Sequence, residues 1–269
     1  MTRYAEHLAD AWAEFWSAGD ARAAAVLYAR DARWWDVARG RGKEAVGRDA
    51  VVVERAAITD AVDRLGLSVR RVVPAVDAVA VEFVVAAREC GALVAAPACA
   101  FWRVDGDGRI AREQWFWDWS RRGPAEPSIV GHTVVGAGGE RGPRWYRNFA
   151  TEVLAAWDAS PPAMVDQYYA ADVVFDTMGA GSSLVLRGAE ALREAETRLE
   201  ARLVERRTRV AEVVGAGPLV ACAHFTEART AEGPRRVTPV ARVWTLGADN
   251  RIVSAHTYLV RAWPPRSRR

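Results

Sequence analysis

The sequence contains no apolar run near the roughly 18 residues that span a bilayer, and its opening, MTRYAEHLADAW, lacks the basic-then-apolar order of a secretory signal. Neither membrane insertion nor a membrane partner is expected, and the chain reads as cytoplasmic. Cysteine is scarce: Cys90, Cys99 and Cys222 form no CxxC pair and leave an odd count, which suits a reducing compartment better than a disulfide framework. No cluster of histidine and cysteine has metal-ligand spacing and no phosphate-binding loop occurs, so no metal and no nucleotide cofactor is expected. An excess of one charge is lacking too. The formal charge of +3 comes from four arginines in the tail Arg261 to Arg269, and the rest of the chain carries −1. With no basic stripe through the folded parts, nucleic acid is not an expected partner, and the tail reads as solvated.

What the chain has is a repeat. Its 269 residues, 51% hydrophobic, suffice for two ordinary domains each with its own core. A shift of 141 places Trp16 on Trp157, Tyr28-Ala29 on Tyr169-Ala170, Asp31 on Asp172 and Gly47 on Gly188. A shift of 142 places Pro97 on Pro239, Trp102 on Trp244 and Arg109-Ile110 on Arg251-Ile252. One inserted residue accounts for the change. Missing such a period would misassign the whole fold.

Each copy reads in one order. An amphipathic helix (7–18; 146–159) is followed by a short helix, a short strand (32–37; 173–177) and a third helix opened by Gly47 or Gly188 with acids in its first turn. Four strands rich in Val, Phe and Trp follow, the last two joined by the turns Asp105-Gly106-Asp107-Gly108 and Gly247-Ala248-Asp249-Asn250. Helices followed by consecutive strands predict an α+β fold in which an antiparallel sheet wraps around N-terminal helices. The expected domains are 1–122 and 143–263, with a glycine- and proline-rich linker at 123–142 and a basic tail at 264–269. A linker of that length lets the copies pack as an internal counterpart of a homodimer.

The motif Tyr28-Ala29-Arg30-Asp31, a short strand, Gly47-Arg48-Asp49-Ala50 and a final Asp-Gly-Arg-Ile hairpin resembles the nuclear transport factor 2-like superfamily in both copies. That superfamily includes ketosteroid isomerases, SnoaL-like polyketide cyclases and limonene epoxide hydrolases. The two-domain length resembles polyether epoxide hydrolases. The resemblance implies a curved sheet forming a cone-shaped barrel with a cavity under the helices and, for an active member, acid–base chemistry without cofactor. It implies no one reaction, because the fold hosts isomerisation, cyclisation and epoxide opening as well as members that only bind.

Candidate residues follow. Asp36, five residues after Asp31, has the spacing at which the resemblance implies a catalytic aspartate, and strand alternation puts it on one face with Trp34. An indole wall raises a carboxyl pKa and suits it to proton transfer near neutral pH. Asp118 resembles, by its distance from Arg109-Ile110, a carboxylate of limonene epoxide hydrolases, although the Arg-x-Asp of those enzymes is replaced here by Phe83-Val84-Val85. Glu113, on the same strand, is expected on the face opposite Asp118. Asp63, near the end of the third helix, falls where the polyether enzymes carry a second acid. The ketosteroid isomerase oxyanion hole is not reproduced, since its positions hold Trp12 and Cys99 or Ala100. In the second copy Thr177 replaces Asp36 and Asp176 is turned to the other face. His256 and Tyr258 share a face of the last strand as an acid–base candidate pair, while His224 aligns with Glu82 and is read as an interface residue. Twelve tryptophans, eight in the first copy, suggest an aromatic cavity in which Trp12, Trp34, Trp102, Trp115 and Trp117 hold a hydrophobic polyketide- or terpene-like molecule. The expected activity is cofactor-independent epoxide opening, cyclisation or isomerisation, with a non-catalytic binding protein or an interaction scaffold as alternatives.

Overall fold

The computed structural model describes residues 2–19, 21–37, 44–61, 63–89, 91–124, 133–134, 141–178, 184–231 and 233–260. Its contacts divide the chain into two units, one built mainly from each copy. The first contains α1 (Thr2–Ala18), α2 (Ala23–Leu27), β1 (Tyr28–Asp36), β2 (Ala45–Val46), α3 (Arg48–Ala61), β3 (Asp63–Pro74), β4 (Ala78–Glu89), β5 (Ala92–Val104) and β6 (Ile110–Trp117). Two short strands from the expected linker follow, β7 (Gly123–Pro124) beside β5 and β8 (Thr133–Val134) beside β3. These pieces extend the first sheet. The other linker residues between 125 and 140, and the tail, lie outside the described residues. The second unit repeats the plan with α4 (Pro143–Ala159), α5 (Pro161–Tyr168), β9 (Tyr169–Met178), β10 (Leu184–Arg187), α6 (Ala189–Glu200), β11 (Leu203–Ala216), β12 (Leu219–Thr230), β13 (Arg236–Leu246) and β14 (Ile252–Leu259).

The long helices form because their apolar residues recur at helical spacing. Ala5, Leu8, Ala9, Trp12, Phe15 and Trp16 make one buried stripe on α1, and Tyr146, Phe149, Ala150, Val153, Leu154 and Trp157 make its counterpart on α4. Gly47 and Gly188, with φ of 93° and 87°, each turn the chain from a short edge strand into the third helix. The Gly47 N–H donates to Ala32 O and the Gly188 N–H to Val173 O, both at 2.8 Å.

The strand order is β2-β1-β6-β5-β4-β3-β8 in one sheet and β10-β9-β14-β13-β12-β11 in the other. Both sheets are open rather than closed barrels. Neighbours are antiparallel except for β1 with β6 and β9 with β14 in the cone, and β3 with β8 at the added edge. Adjacent hairpins force antiparallel pairing, but β1 reaches β6 only after α3 and three further strands, so no tight turn sets their direction. The first strand is longer than its motif suggests, with a register shift between Tyr28 and Arg33. Each sheet carries its helices on one face, where the two cores lie. No helix of the described residues is long and apolar enough to cross a membrane.

Candidate functional site

On the helix-covered face of the first sheet, side chains stand in rows across the strands. Trp34, Glu113, Trp102 and Val79 form one row, Asp36, Trp115, Ala100 and Val81 the next, and Trp117, Ala98 and Phe83 a third. Helix α1 lowers Trp12 and Trp16 onto these rows. Ring centroids then lie 4.4 Å apart for Trp16 and Trp115, 5.1 Å for Trp12 and Trp102, 5.7 Å for Trp34 and Trp115 and 5.9 Å for Trp115 and Trp117. All five expected tryptophans meet here, joined by Trp16. Edge-to-face and tilted contacts of this kind hold the rings in fixed orientations.

Asp36 lies on this face and is fully buried, its Oδ1 accepting the Trp117 indole N–H at 3.0 Å. Alternation along β1 therefore places it as expected beside an indole.

The second acid on the face is Glu113, also fully buried. Its Oε1 accepts indole N–H groups from Trp12 at 2.7 Å, Trp102 at 3.3 Å and Trp115, while Oε2 accepts the Tyr28 hydroxyl at 2.5 Å. Tyr28 in turn accepts the Trp16 indole N–H at 3.1 Å. Burial raises the Glu113 pKa to about 7 against the downward pull of the four donors. Burial, then the Glu113 charge, pushes the Tyr28 hydroxyl well above its usual 10. Alternation put Glu113 opposite Asp118, but nothing local to β6 shows that its face is the inward one or that three tryptophans from three separate elements aim their N–H groups at it.

The remaining candidates lie elsewhere. Asp118 points to the opposite face from Trp117, and its Oδ1 accepts the Ser120 N–H at 3.0 Å and the Ser120 hydroxyl at 2.5 Å, capping the short turn Trp119–Arg121. Arg122 bridges Glu89 at 2.6 Å. Asp63 is the first residue of β3, paired with Arg88, and begins a strand two residues beyond the end of α3 at Ala61. Asp176 is the register partner of His256, and both stand with Tyr258 on the face away from the helices. The structure brings these three together but not onto the face where the core lies.

His224 requires a correction. Strand register aligns it with Phe83, not Glu82, because the inserted residue falls in the turn between β12 and β13. His224 accordingly stands on the helix-covered face, in line with Val220 and Cys222. That face differs from its counterpart. Val220, Trp244, Ala255 and Phe175 form the first row, Cys222, Arg242, Thr257 and Thr177 the second, His224 and Val240 the third, and Thr226 and Thr238 the fourth. The second and third rows of the first copy are Val81, Ala100, Trp115, Asp36 and Phe83, Ala98, Trp117. Copy two has thus replaced most of the aromatic surface by polar groups and the Glu113 carboxyl by Ala255. It keeps Tyr169 and Trp244 where copy one has Tyr28 and Trp102. Burial takes the Tyr169 hydroxyl to about 12. Among the described residues no three His, Cys, Asp or Glu side chains are grouped so as to hold a metal ion.

These geometries can be set beside known proteins. No curated protein matches the sequence. Of solved structures, a ketosteroid isomerase-like hypothetical protein from Catenulispora acidiphila in complex with trimethylamine is 27% identical over 42% of this chain and 86% of its own, with a TM-score of 0.37. An LEH-like epoxide hydrolase from Mycobacterium tuberculosis is 18% identical over 42% and 81%, with a TM-score of 0.37. An NTF2-like protein of unknown function from Burkholderia pseudomallei is 14% identical over 42% and 89%, with a TM-score of 0.38. Each is similar to about one copy's length of this chain. The SnoaL-like domain matches twice, over residues 9–113 and 150–255, once in each copy. The chain therefore belongs to the SnoaL-like family, as a tandem of two such domains.

Proposed function

We propose that the first copy is a cofactor-independent acid–base enzyme acting on a hydrophobic polyketide- or terpene-like molecule, with Asp36 as the proton carrier. The observation that supports this is the burial of Asp36 on an indole-lined face, fixed by the Trp117 N–H. In such a place a carboxylate takes a proton from a substrate hydroxyl or activated C–H and returns it to an epoxide or carbonyl oxygen, so one residue closes the proton balance. Epoxide opening, cyclisation and isomerisation all need this transfer and no change of oxidation state. Trp34, Trp115 and Trp117 supply the apolar wall, and the Glu113 carboxyl locks Trp12, Trp102 and Trp115 in place as a positioning residue.

Substitution Asp36→Asn keeps the size of the side chain and the acceptor for Trp117 but removes the proton carrier. Turnover of an epoxide or polycyclic ketone identified from a substrate panel is expected to fall by about 10²–10⁴-fold with the circular dichroism spectrum unchanged. Undiminished turnover rejects the assignment.

A second reading, an interaction scaffold whose first core is filled by its own side chains, draws on the mutual packing of the indoles, with ring centroids 4.4 to 5.9 Å apart. Failure of wild type to take up any hydrophobic metabolite of the panel favours it. The cytoplasmic location and the pairing of the copies as an internal dimer belong to the same proposal, testable by fractionation and by solution scattering.

A further inference from the structure

We propose that the second copy holds a separate binding site for an apolar monocarboxylate bearing a hydroxyl group near the acid, with Arg242 taking the carboxylate and His224 the hydroxyl. This goes beyond the reading of the first copy and does not depend on it.

Polar groups are left over on the helix-covered face of the second copy. Arg242 is 5% exposed, His224 0% and Thr257 3%, yet Arg242 Nε, His224 Nε2 and Thr257 Oγ1 have no hydrogen-bond partner among the described residues. Arg242 and Thr257 are direct register partners, and His224 stands one row further along the sheet. No carboxylate lies within ion-pair distance of Arg242 among the described residues. Its guanidinium rests over the Trp157 ring at 4.8 Å, and the acid at that ring, Glu196, accepts the Trp157 indole N–H at 2.9 Å. A buried guanidinium without a counterion is costly, and so is each buried polar atom without a partner. Such a cluster is accounted for when a ligand supplies the missing charge and acceptors.

The hydrogen bonds around His224 define what it offers. Asp158, paired with Arg206 at 3.5 Å, accepts the Thr208 hydroxyl at 2.7 Å. A carboxylate only accepts, so the single proton of Thr208 is used there. Thr226, 3.4 Å from Thr208, must then donate to it, and His224 Nδ1, 3.3 Å from Thr226, must donate in turn. Burial, with the Arg242 charge second, keeps the imidazole neutral. One proton on a neutral ring at Nδ1 leaves a lone pair on Nε2, the unpartnered atom. The site therefore presents a cationic donor, a hydroxyl and, one row away, an acceptor for an O–H.

The size and polarity of the ligand follow from the rest of the face. A single unpaired cation matches a monoanion rather than a phosphate dianion, and a carboxylate fits a guanidinium by paired hydrogen bonds. Beyond the Thr226 row lies a cavity of about 400 Å³, lined by Leu203, Ala228, Thr230, Pro234, Arg236 and Thr238 among others. Thr238 stands four residues from Arg242 on β13, roughly 13 Å along the strand. A ligand whose acid meets Arg242 and whose tail ends in this cavity therefore needs an aliphatic chain of about ten carbons.

The test is calorimetric titration of the full chain with 3-hydroxydecanoate, decanoate and decan-1-ol. Wild type is expected to bind the hydroxy acid most tightly and the alcohol at least about tenfold more weakly than either acid. Arg242→Gln should weaken both acids by at least about tenfold and leave the alcohol unchanged. His224→Phe, which installs the residue that copy one carries in the same row, should abolish the advantage of the hydroxy acid over decanoate. Asp36→Asn should leave all three affinities as they are, which separates this site from the proposed chemistry of copy one. Equal binding of acid and alcohol, no binding of any probe up to about 1 mM, or acid binding undisturbed by Arg242→Gln overturns the proposal. If Arg242→Gln does not fold, the acid–alcohol comparison on wild type and the His224→Phe result decide it.

Discussion

Three indole N–H groups and a phenol O–H converge on the Glu113 carboxyl, and that arrangement ties the stability of the first copy to pH. The group titrates at an ordinary 4.5 in an exposed chain and at about 7 when folded. Between those values the folded chain keeps a proton that the unfolded chain has lost. The contribution is therefore fully present below about pH 4.5 and is lost as pH rises through 7. Each unit of difference is worth roughly 1.4 kcal/mol, so the loss is on the order of 3 kcal/mol. Thermal unfolding of wild type from pH 5 to 8 should show this decline, and Glu113→Gln should flatten it. Glu113→Ala, by orphaning several buried donors at once, should cost about 3–5 kcal/mol at pH 5 and less as pH rises and wild type itself loses stability. An unchanged midpoint in Glu113→Ala contradicts the hydrogen-bond cage. The position of Asp36 was legible because a regular strand alternates. The role of Glu113 was not, because its partners come from α1, β1, β5 and β6 and only the register of the assembled sheet brings them to one point.

The glycine that opens the third helix shows how far an element is written locally. Both Gly47 and Gly188 adopt positive φ and make the same backbone hydrogen bond one strand away. A Cβ at Gly47 would come no nearer than 3.8 Å to Arg30 O, so the cost of an added side chain is conformational rather than steric. Gly47→Ala should lower stability by about 1–2 kcal/mol, read as a reduced denaturation midpoint, and a neutral outcome removes the argument. Element order and type followed from periodicity, while boundaries and faces at element ends did not. Asp63 fell from helix to strand because α3 stops at Ala61. Asp118 sits where β6 gives way to a tight turn, and its carboxylate accepts the Ser120 N–H there. His224 changed faces through the position of one inserted residue, since a slip of one on a strand reverses every side chain.

At the scale of the molecule the two copies share a frame and differ in what they place on it. Rows of tryptophan around Asp36 in the first become rows of Arg242, Thr257 and His224 in the second. Hydrogen exchange on the full chain with 3-hydroxydecanoate should accordingly protect the amides of β12 to β14 and leave those of β4 to β6 at their free rates. Protection confined to β4 to β6 would move the ligand to the first copy. The sequence alone determined the tandem repeat, the α+β order of each copy and the family, because these rest on periodicity and short motifs that need no partner in space. The cage around Glu113 and the unpaired polar face of the second copy were decided only by the tertiary structure. Both consist of side chains far apart in the chain whose strand register, and not their own neighbours, sets what they meet.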